Sequence, residues 1–280
     1  MIKPLYLGIE LQAHQLCAVG LQAGLAPKPF TKALRCDESW PELLWNKPQW
    51  LAAGLRELKK TIGKGRVSVA INLPLSCVRH TLVSLPTVQA HQPSVIADRC
   101  QRNGMIIEPQ QLVQSRWLAG DGQRFGAGLY QVVMIERRLL GVLQTLCHRL
   151  HWSLQRIDLS CFARAYAWWH VESPWPGRYA ELHVAQVNQT QEVSLFLHKR
   201  LLDWRRFDVS LGESLAHYLT QLQLLWRRLS GIELKQIRSL EHLSLDPSPV
   251  IIRSGERLWA QHDDSLAAFG AALAISHERL

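Results

Sequence analysis

His148 and His151 lie about one helical turn apart and are the nearest this sequence comes to a metal-binding pair. Two imidazoles without a third ligand do not make a zinc site. Six cysteines occur, Cys17, Cys36, Cys77, Cys100, Cys147 and Cys161. No two form C-x-x-C, and each sits in an apolar or helical setting, as reduced core thiols of a cytosolic protein do. The run "GDGQRFGAG" at 120–128 lacks the spacing G-x-G-x-x-G and falls between two strand-like segments, so a hairpin loop is expected. Neither G-x-S-x-G nor H-E-x-x-H is present, and His262-Asp263-Asp264 reads as a polar loop. Asn188-Gln189-Thr190 matches a glycosylation acceptor, which has no consequence in a cytoplasmic protein. One stretch keeps the question of chemistry open. In "LYLGIELQAHQLCAV", 5–19, a carboxylate, Glu10, closes one apolar run, and a polar turn separates it from the next.

The elements that would position such a turn can be read from periodicity. Leu5–Leu11 and Leu16–Leu21 read as strands of a hairpin, with a third strand near Phe30–Arg35. Ser39-Trp40-Pro41-Glu42 opens a helix, with a serine cap, an early proline and an acid in the first turn. A second helix is expected over Pro48–Ile62, ended by "GKG", and "RVSVAINLP" is a buried strand parallel to an earlier one. Then follow a strand "CVRHTLVSLP", a helix Pro93–Asn103 capped by Gly104, strands "QLVQSRWLA" and "LYQVVMIER", a helix Arg137–Leu150, a strand "LQRIDLS" and a helix "CFARAYAWWHV". "ESPWPG" breaks the chain at 173–177. The pattern then restarts with strands in "YAELHVAQV" and "EVSLFLHKRLLDWRRF", a helix Leu211–Leu229, a strand "SPVIIRSG" and a closing helix Leu266–Ser276. Two halves that each begin with a hairpin suggest a duplicated α/β unit.

Bulk properties fit that reading. The chain is 280 residues long, 47% hydrophobic and 20% charged, the range of a folded protein with a substantial core. Its formal net charge is +9, but the charges are spread along the chain as pairs such as Lys59-Lys60, Arg137-Arg138, Arg205-Arg206 and Arg227-Arg228. Such pairs read as solvated helix faces, and direct binding of nucleic acid is not expected. No signal peptide and no run near the ~20 apolar residues of a membrane helix is seen, so a soluble cytoplasmic protein is expected.

The order of several segments carries a resemblance. "LGIEL", "VSVAINLP" followed by "LVSLP", "SVIADRCQRNGMIIEPQQLVQSRWL", "YQVVMIERRLLGVLQTLCHRLHWSLQRIDLSCFARAYAWW" and "VIIRSG…FGAALA" together resemble PilM-type pilus-assembly proteins of the actin-like superfamily. Within that family the chain looks most like the HofM branch, linked to competence-type DNA uptake, and it is also similar to the GspL cytoplasmic domain. The resemblance implies an actin-like α/β fold, a duplicated ribonuclease H-like unit with an inserted subdomain in the first half. Residues 1–173 would form the first half, with 1–74 and the helix near 162–172 as its core and about 75–160 as the insertion. Residues 178–280 would form a shortened second half.

An actin-like nucleotide site needs bare backbone N–H groups near phosphate and hard oxygen ligands for Mg²⁺. By resemblance, Glu10 stands where the family has Asp, Gln12 replaces a Gly, and Ala13 replaces a hydroxyl residue. In the second hairpin His183 stands for Asp and Ala185 for Gly, while Thr190 keeps a hydroxyl; in the third turn Ser254 and Gly255 precede Glu256. Imidazole suits Mg²⁺ poorly. A degenerate cleft is therefore expected, with no cofactor and no metal, ATP with Mg²⁺ on a divergent ATPase site being the alternative.

The resemblance then implies a scaffold. It would sit in the cytoplasm, peripheral to the inner membrane, and bind the N-terminal cytoplasmic peptide of a bitopic partner of the PilN or HofN kind, with a pilus ATPase or platform components as further partners. An extended segment adding to a sheet edge is the expected mode. The groove expected for it is lined by Val67, Val69 and Ile71, by Leu82, Val83 and Leu85, and by Ile96 and Arg99.

Overall fold

A computed structural model describes residues 4–12, 15–22, 28–33, 42–63, 65–86, 92–119, 127–171, 180–187, 190–197, 200–208, 236–239 and 266–277. In chain order its elements are β1 Leu5–Gln12, β2 Gln15–Leu21, β3 Lys28–Ala33, α1 Glu42–Asn46, α2 Pro48–Ile62, β4 Val67–Leu73, β5 Val78–Pro86, α3 Pro93–Arg102, β6 Gln111–Ala119, β7 Ala127–Glu136, α4 Arg137–Arg149, β8 Ser153–Leu159, α5 Ser160–Val171, β9 Ala180–Val187, β10 Thr190–Leu197, β11 Arg200–Asp208, β12 Gln236–Ser239 and α6 Leu266–His277. The helix expected at Leu211–Leu229, the strand expected in "SPVIIRSG" and the break at 173–177 lie outside the described residues.

The first sheet has the order β3-β2-β1-β4-β8. β1 runs antiparallel to β2 and parallel to β4, and β4 runs parallel to β8. Alternation along β1 sorts its side chains to two faces. Leu7 and Ile9 lie opposite Val69 and Ile71, and this aliphatic face packs on α1, α2 and α4 through Leu43, Leu44, Leu51, Leu55, Leu139 and Leu143. The helices on that face begin and end as local chemistry requires. Pro48 opens α2 where no N–H partner is needed, and Gly63 closes it at φ +84°.

The second sheet, order β5-β7-β6, is antiparallel throughout. α3 covers one face of it, with Ile96 and Cys100 packed against Val83, Leu85, Tyr130, Val132 and Met134. The third sheet has the order β11-β10-β9-β12, with β12 parallel to β9. It repeats β3-β2-β1-β4 strand for strand, so the duplication expected from the sequence is visible in the topology. Phe196 of β10 meets Phe162 of α5 edge to face, ring centroids 5.9 Å apart, and joins the third sheet to the first core.

Two expectations about organisation are corrected. Of residues 75–160, only 78–136 form the inserted sheet and its helix; β8 hydrogen-bonds to β4, and α4 packs in the first core. The closing helix, expected in the second half, instead lies on the first sheet. There α6 packs with α5 on the face opposite the aliphatic one, Phe269 and Leu273 meeting Val19, and Ala267 and Ala271 meeting Ala70. A Cβ on Gly8 would stand 1.7 Å from the carbonyl oxygen of Ala268, and one on Gly270 would stand 1.8 Å from that of Ala163. Backbone meets backbone at both points, and only glycine allows it.

The expected peptide groove is corrected as well. Val67, Val69 and Ile71 are buried on β4, which is paired on both sides, by β1 and β8. Val83, Leu85 and Ile96 fill the core between α3 and the inserted sheet. A fully paired strand has no backbone groups left for a guest, and side chains buried in a core cannot line a groove. Arg99 is half-buried on α3, and of Leu82 only the strand position, opposite Gln131, is described.

Candidate functional site

In sheets with parallel strands, ligand sites form beyond the carboxyl ends of those strands. In the first sheet those ends belong to β1, β4 and β8. Across them Cys17, Glu10, Asn72 and Asp158 stand opposite one another in register, on the face covered by α5 and α6. This is where the sequence placed Glu10, and the structure adds its partners.

Glu10 is 2% exposed. Its Oε1 accepts a hydrogen bond from Arg164 Nη1 on α5 at 3.2 Å, and its Oε2 accepts one from Gln12 Nε2 at 3.2 Å. The Arg164 side chain is itself nearly buried, so this is an ion pair held in low dielectric. Asn72, fully buried, donates from Nδ2 to the carbonyl oxygen of Ala267 on α6 at 2.7 Å. Its Oδ1 has no partner among the described residues. Asp158 accepts from Arg156 Nη2 at 2.6 Å and from the backbone N–H of Leu159 at 2.9 Å. Ser160 Oγ donates to Leu73 O at 3.3 Å. The polar groups at the carboxyl ends are thus turned inward, onto the two helices above them and onto one another.

The fit to Mg²⁺ is poor. A metal shell needs a carboxylate oxygen that a cation or its waters can approach, whereas both Glu10 oxygens serve protein donors and the neighbouring charge is a guanidinium. Among the described residues no three His, Cys, Asp or Glu side chains are grouped to hold a metal ion. Buried thiols add no nucleophile: burial pushes Cys77 up to about 12, with Glu42 adding to the shift, and pushes Cys147 up to about 11.

The second hairpin is read differently in the structure. Gln12 pairs with Gln15 across the β1–β2 turn, and Val187 pairs with Thr190 across the β9–β10 turn. Both turns hold two residues, so the position matching Glu10 is Ala185, not His183. His183 sits deeper in β9, between Ser194 and Arg238, at the level that Gly8 holds in β1. His183 and Ala185 share a face, so alternation alone does not separate them; the turn does. Ala13, Ser254 and Gly255 lie outside the described residues. Arg164 and Asn72 were not singled out from the sequence. Each carried a signal, one arginine in the apolar helix "CFARAYAWW" and one asparagine in the apolar strand "VSVAIN".

The fold has solved counterparts. With a TM-score of 0.53 and 14% identity, the chain is similar to a structure described as a PilM-PilN type IV pilus biogenesis complex, over 98% of this chain and 74% of that one. The fold is actin-like. The cytoplasmic domain of EpsL, an inner-membrane component of the type II secretion system of Vibrio cholerae, matches with a TM-score of 0.48 and 14% identity, over 84% of this chain and 82% of that one. A protein of actin-like ATPase fold and unknown function from Bacteroides thetaiotaomicron matches at 0.44 and 12% identity, over 85% of this chain and 79% of that one. No family model and no curated protein sequence matches the chain. Among the described residues no helix of this actin-like chain is long and apolar enough to cross a membrane.

Proposed function

We propose that this chain is a non-catalytic actin-like scaffold of a type IV pilus or competence-type DNA-uptake machine. It works in the cytoplasm and docks on the N-terminal cytoplasmic segment of a bitopic, PilN-like membrane protein. The observation that carries the non-catalytic part is the engagement of Glu10. The carboxylate best placed to organise a metal is buried and spent on Arg164 and Gln12, and the matching position of the second hairpin is Ala185.

Support for the docking part is the likeness in fold to a PilM-PilN complex and an edge suited to an extended guest. β6 pairs with β7 on one side and with no other described strand. Leu112 on β6 is 40% exposed and Ile106, in the loop before it, is 66% exposed. Main-chain bonds to such an edge supply affinity, and apolar side chains beside it supply register.

The test pairs two measurements on the full chain. A synthetic N-terminal peptide of the bitopic partner is expected to be captured, and Leu112→Arg is expected to weaken capture at least tenfold. The melting temperature is expected not to move when Mg-ATP is added, since a ligand that does not bind the folded chain cannot stabilise it. A clear rise with Mg-ATP would favour a nucleotide-driven ATPase instead, and failure of a folded sample to hold the peptide would remove the docking reading.

A further inference from the structure

The end of the first sheet opposite Glu10 has a different character. β4 and β8 are parallel neighbours, with Ser68 opposite Ser153, so the α2–β4 and α4–β8 connections lie side by side. Lys59 Nζ ties them, donating to Leu150 O at 2.9 Å. Together they carry Lys59, Lys60, Arg66, His148, Arg149 and His151; all but the half-buried Lys59 are exposed. Over 56–67 and 148–155 the one carboxylate is Glu57. Among the described residues none of these cations makes an ion pair.

The local geometry adds a second observation. α4 closes with bonds from His151 N to His148 O at 2.9 Å and from Trp152 N to Cys147 O at 3.0 Å, and His151 has φ +55°. Glycine is the usual residue at that position, and α2 ends on one, Gly63. A histidine held in the left-handed region is strained and adds a polar donor to an already basic edge. Offsetting the carbonyl ends of the helices accounts for cations in their last turns. It does not account for Arg66, which precedes β4, or for His151.

We infer that this edge docks on an anionic bilayer surface, with Lys60, Arg66, Arg149 and His151 against head-group phosphates. Basic clusters of this size suit such a surface. Nucleic acid fits less well: Trp152, the one indole of these connections, is buried and offers no stacking face. The inference goes beyond the proposed protein partner and does not depend on it.

The test uses the full chain without any peptide. It is sedimented with vesicles of phosphatidylcholine and with vesicles of phosphatidylcholine mixed with phosphatidylglycerol. Binding is expected to the anionic vesicles alone and to weaken as salt is raised. The triple variant Lys60→Gln, Arg66→Gln, Arg149→Gln is expected to partition roughly a hundredfold more weakly while its circular-dichroism melt stays cooperative. Arg79→Glu, on the inserted sheet, is expected to bind as the unaltered chain does. The inference fails if the unaltered chain stays in solution with anionic vesicles, if the triple variant binds as well as it does, or if duplex DNA is bound in preference to the vesicles.

Discussion

On one face of the first sheet, Leu7, Ile9, Val69 and Ile71 meet the leucines of α1, α2 and α4. On the other, one residue along each strand, Gly8, Ala70 and Asn72 meet small residues of α5 and α6, and Glu10 meets Arg164 of α5. The first face is held by area removed from water, the second by close backbone approach and a few buried polar bonds. The first should tolerate changes that keep volume. The second should not, because a methyl group has nowhere to go and a lost partner leaves a buried charge.

The contrast breaks most sharply at Gly8. Gly8→Val puts carbon into the Ala268 carbonyl and is expected to cost more than about 4 kcal/mol, read as loss of the cooperative urea transition or of soluble chain. Arg164→Ala leaves Glu10 buried without its cation and is expected to cost about 3–5 kcal/mol in urea unfolding, while Glu10→Gln with Arg164→Met recovers most of it. If the single and double variants are equally stable, the pair is not the element that holds β1 to α5. On the aliphatic face, Leu55→Ala is expected to cost about 2–4 kcal/mol and Leu55→Met under about 1.5.

Two smaller effects sharpen the picture of the aliphatic layer. Cys77 and Cys147 sit in it with thiols raised from 9.0 to about 12 and about 11. Below pH 9 they are protonated in both folded and unfolded chains. Above it only the unfolded thiols ionise, so stability falls from pH 9 toward pH 11–12, by about 1.4 kcal/mol per thiol at pH 10. Urea midpoints across that range check it, and Cys77→Ala should flatten the slope. Smallest is a gain: His151→Gly relieves the left-handed turn after α4 and should raise stability by about 1 kcal/mol.

The aliphatic face was legible in the sequence because alternation and helical spacing report burial directly. The strands of β1, β2, β4 and β9–β11 and the helices α2, α3 and α4 follow from it. The other face was not, because its contacts join residues far apart. Glu10 and Arg164 are 154 positions from each other, and Asn72 and Ala267 are 195. Glu10 was found as a chemical candidate, but its meaning depended on a partner that no local pattern supplies. The same limit put α6 with the second half, since a helix of alanines and glycine does not announce which surface it will touch. β12 was missed because four residues, "QIRS", carry too little alternation to be seen. The expected groove failed for a related reason: Val67 to Leu73 reads as apolar in either an edge or a central strand, and pairing on both sides decides which.

The berth between β1 and α5 is filled by a segment that follows all three sheets in the chain. The strands and α5 have left the ribosome before residues 266–277 can enter it. Until then the groove over Gly8 lies open and Asn72 lacks its carbonyl acceptor. Closure of this face of the first sheet therefore waits for α6 to be made, and a chain stopped short of Leu266 would be left with a long slot that an unrelated helix of small residues could occupy.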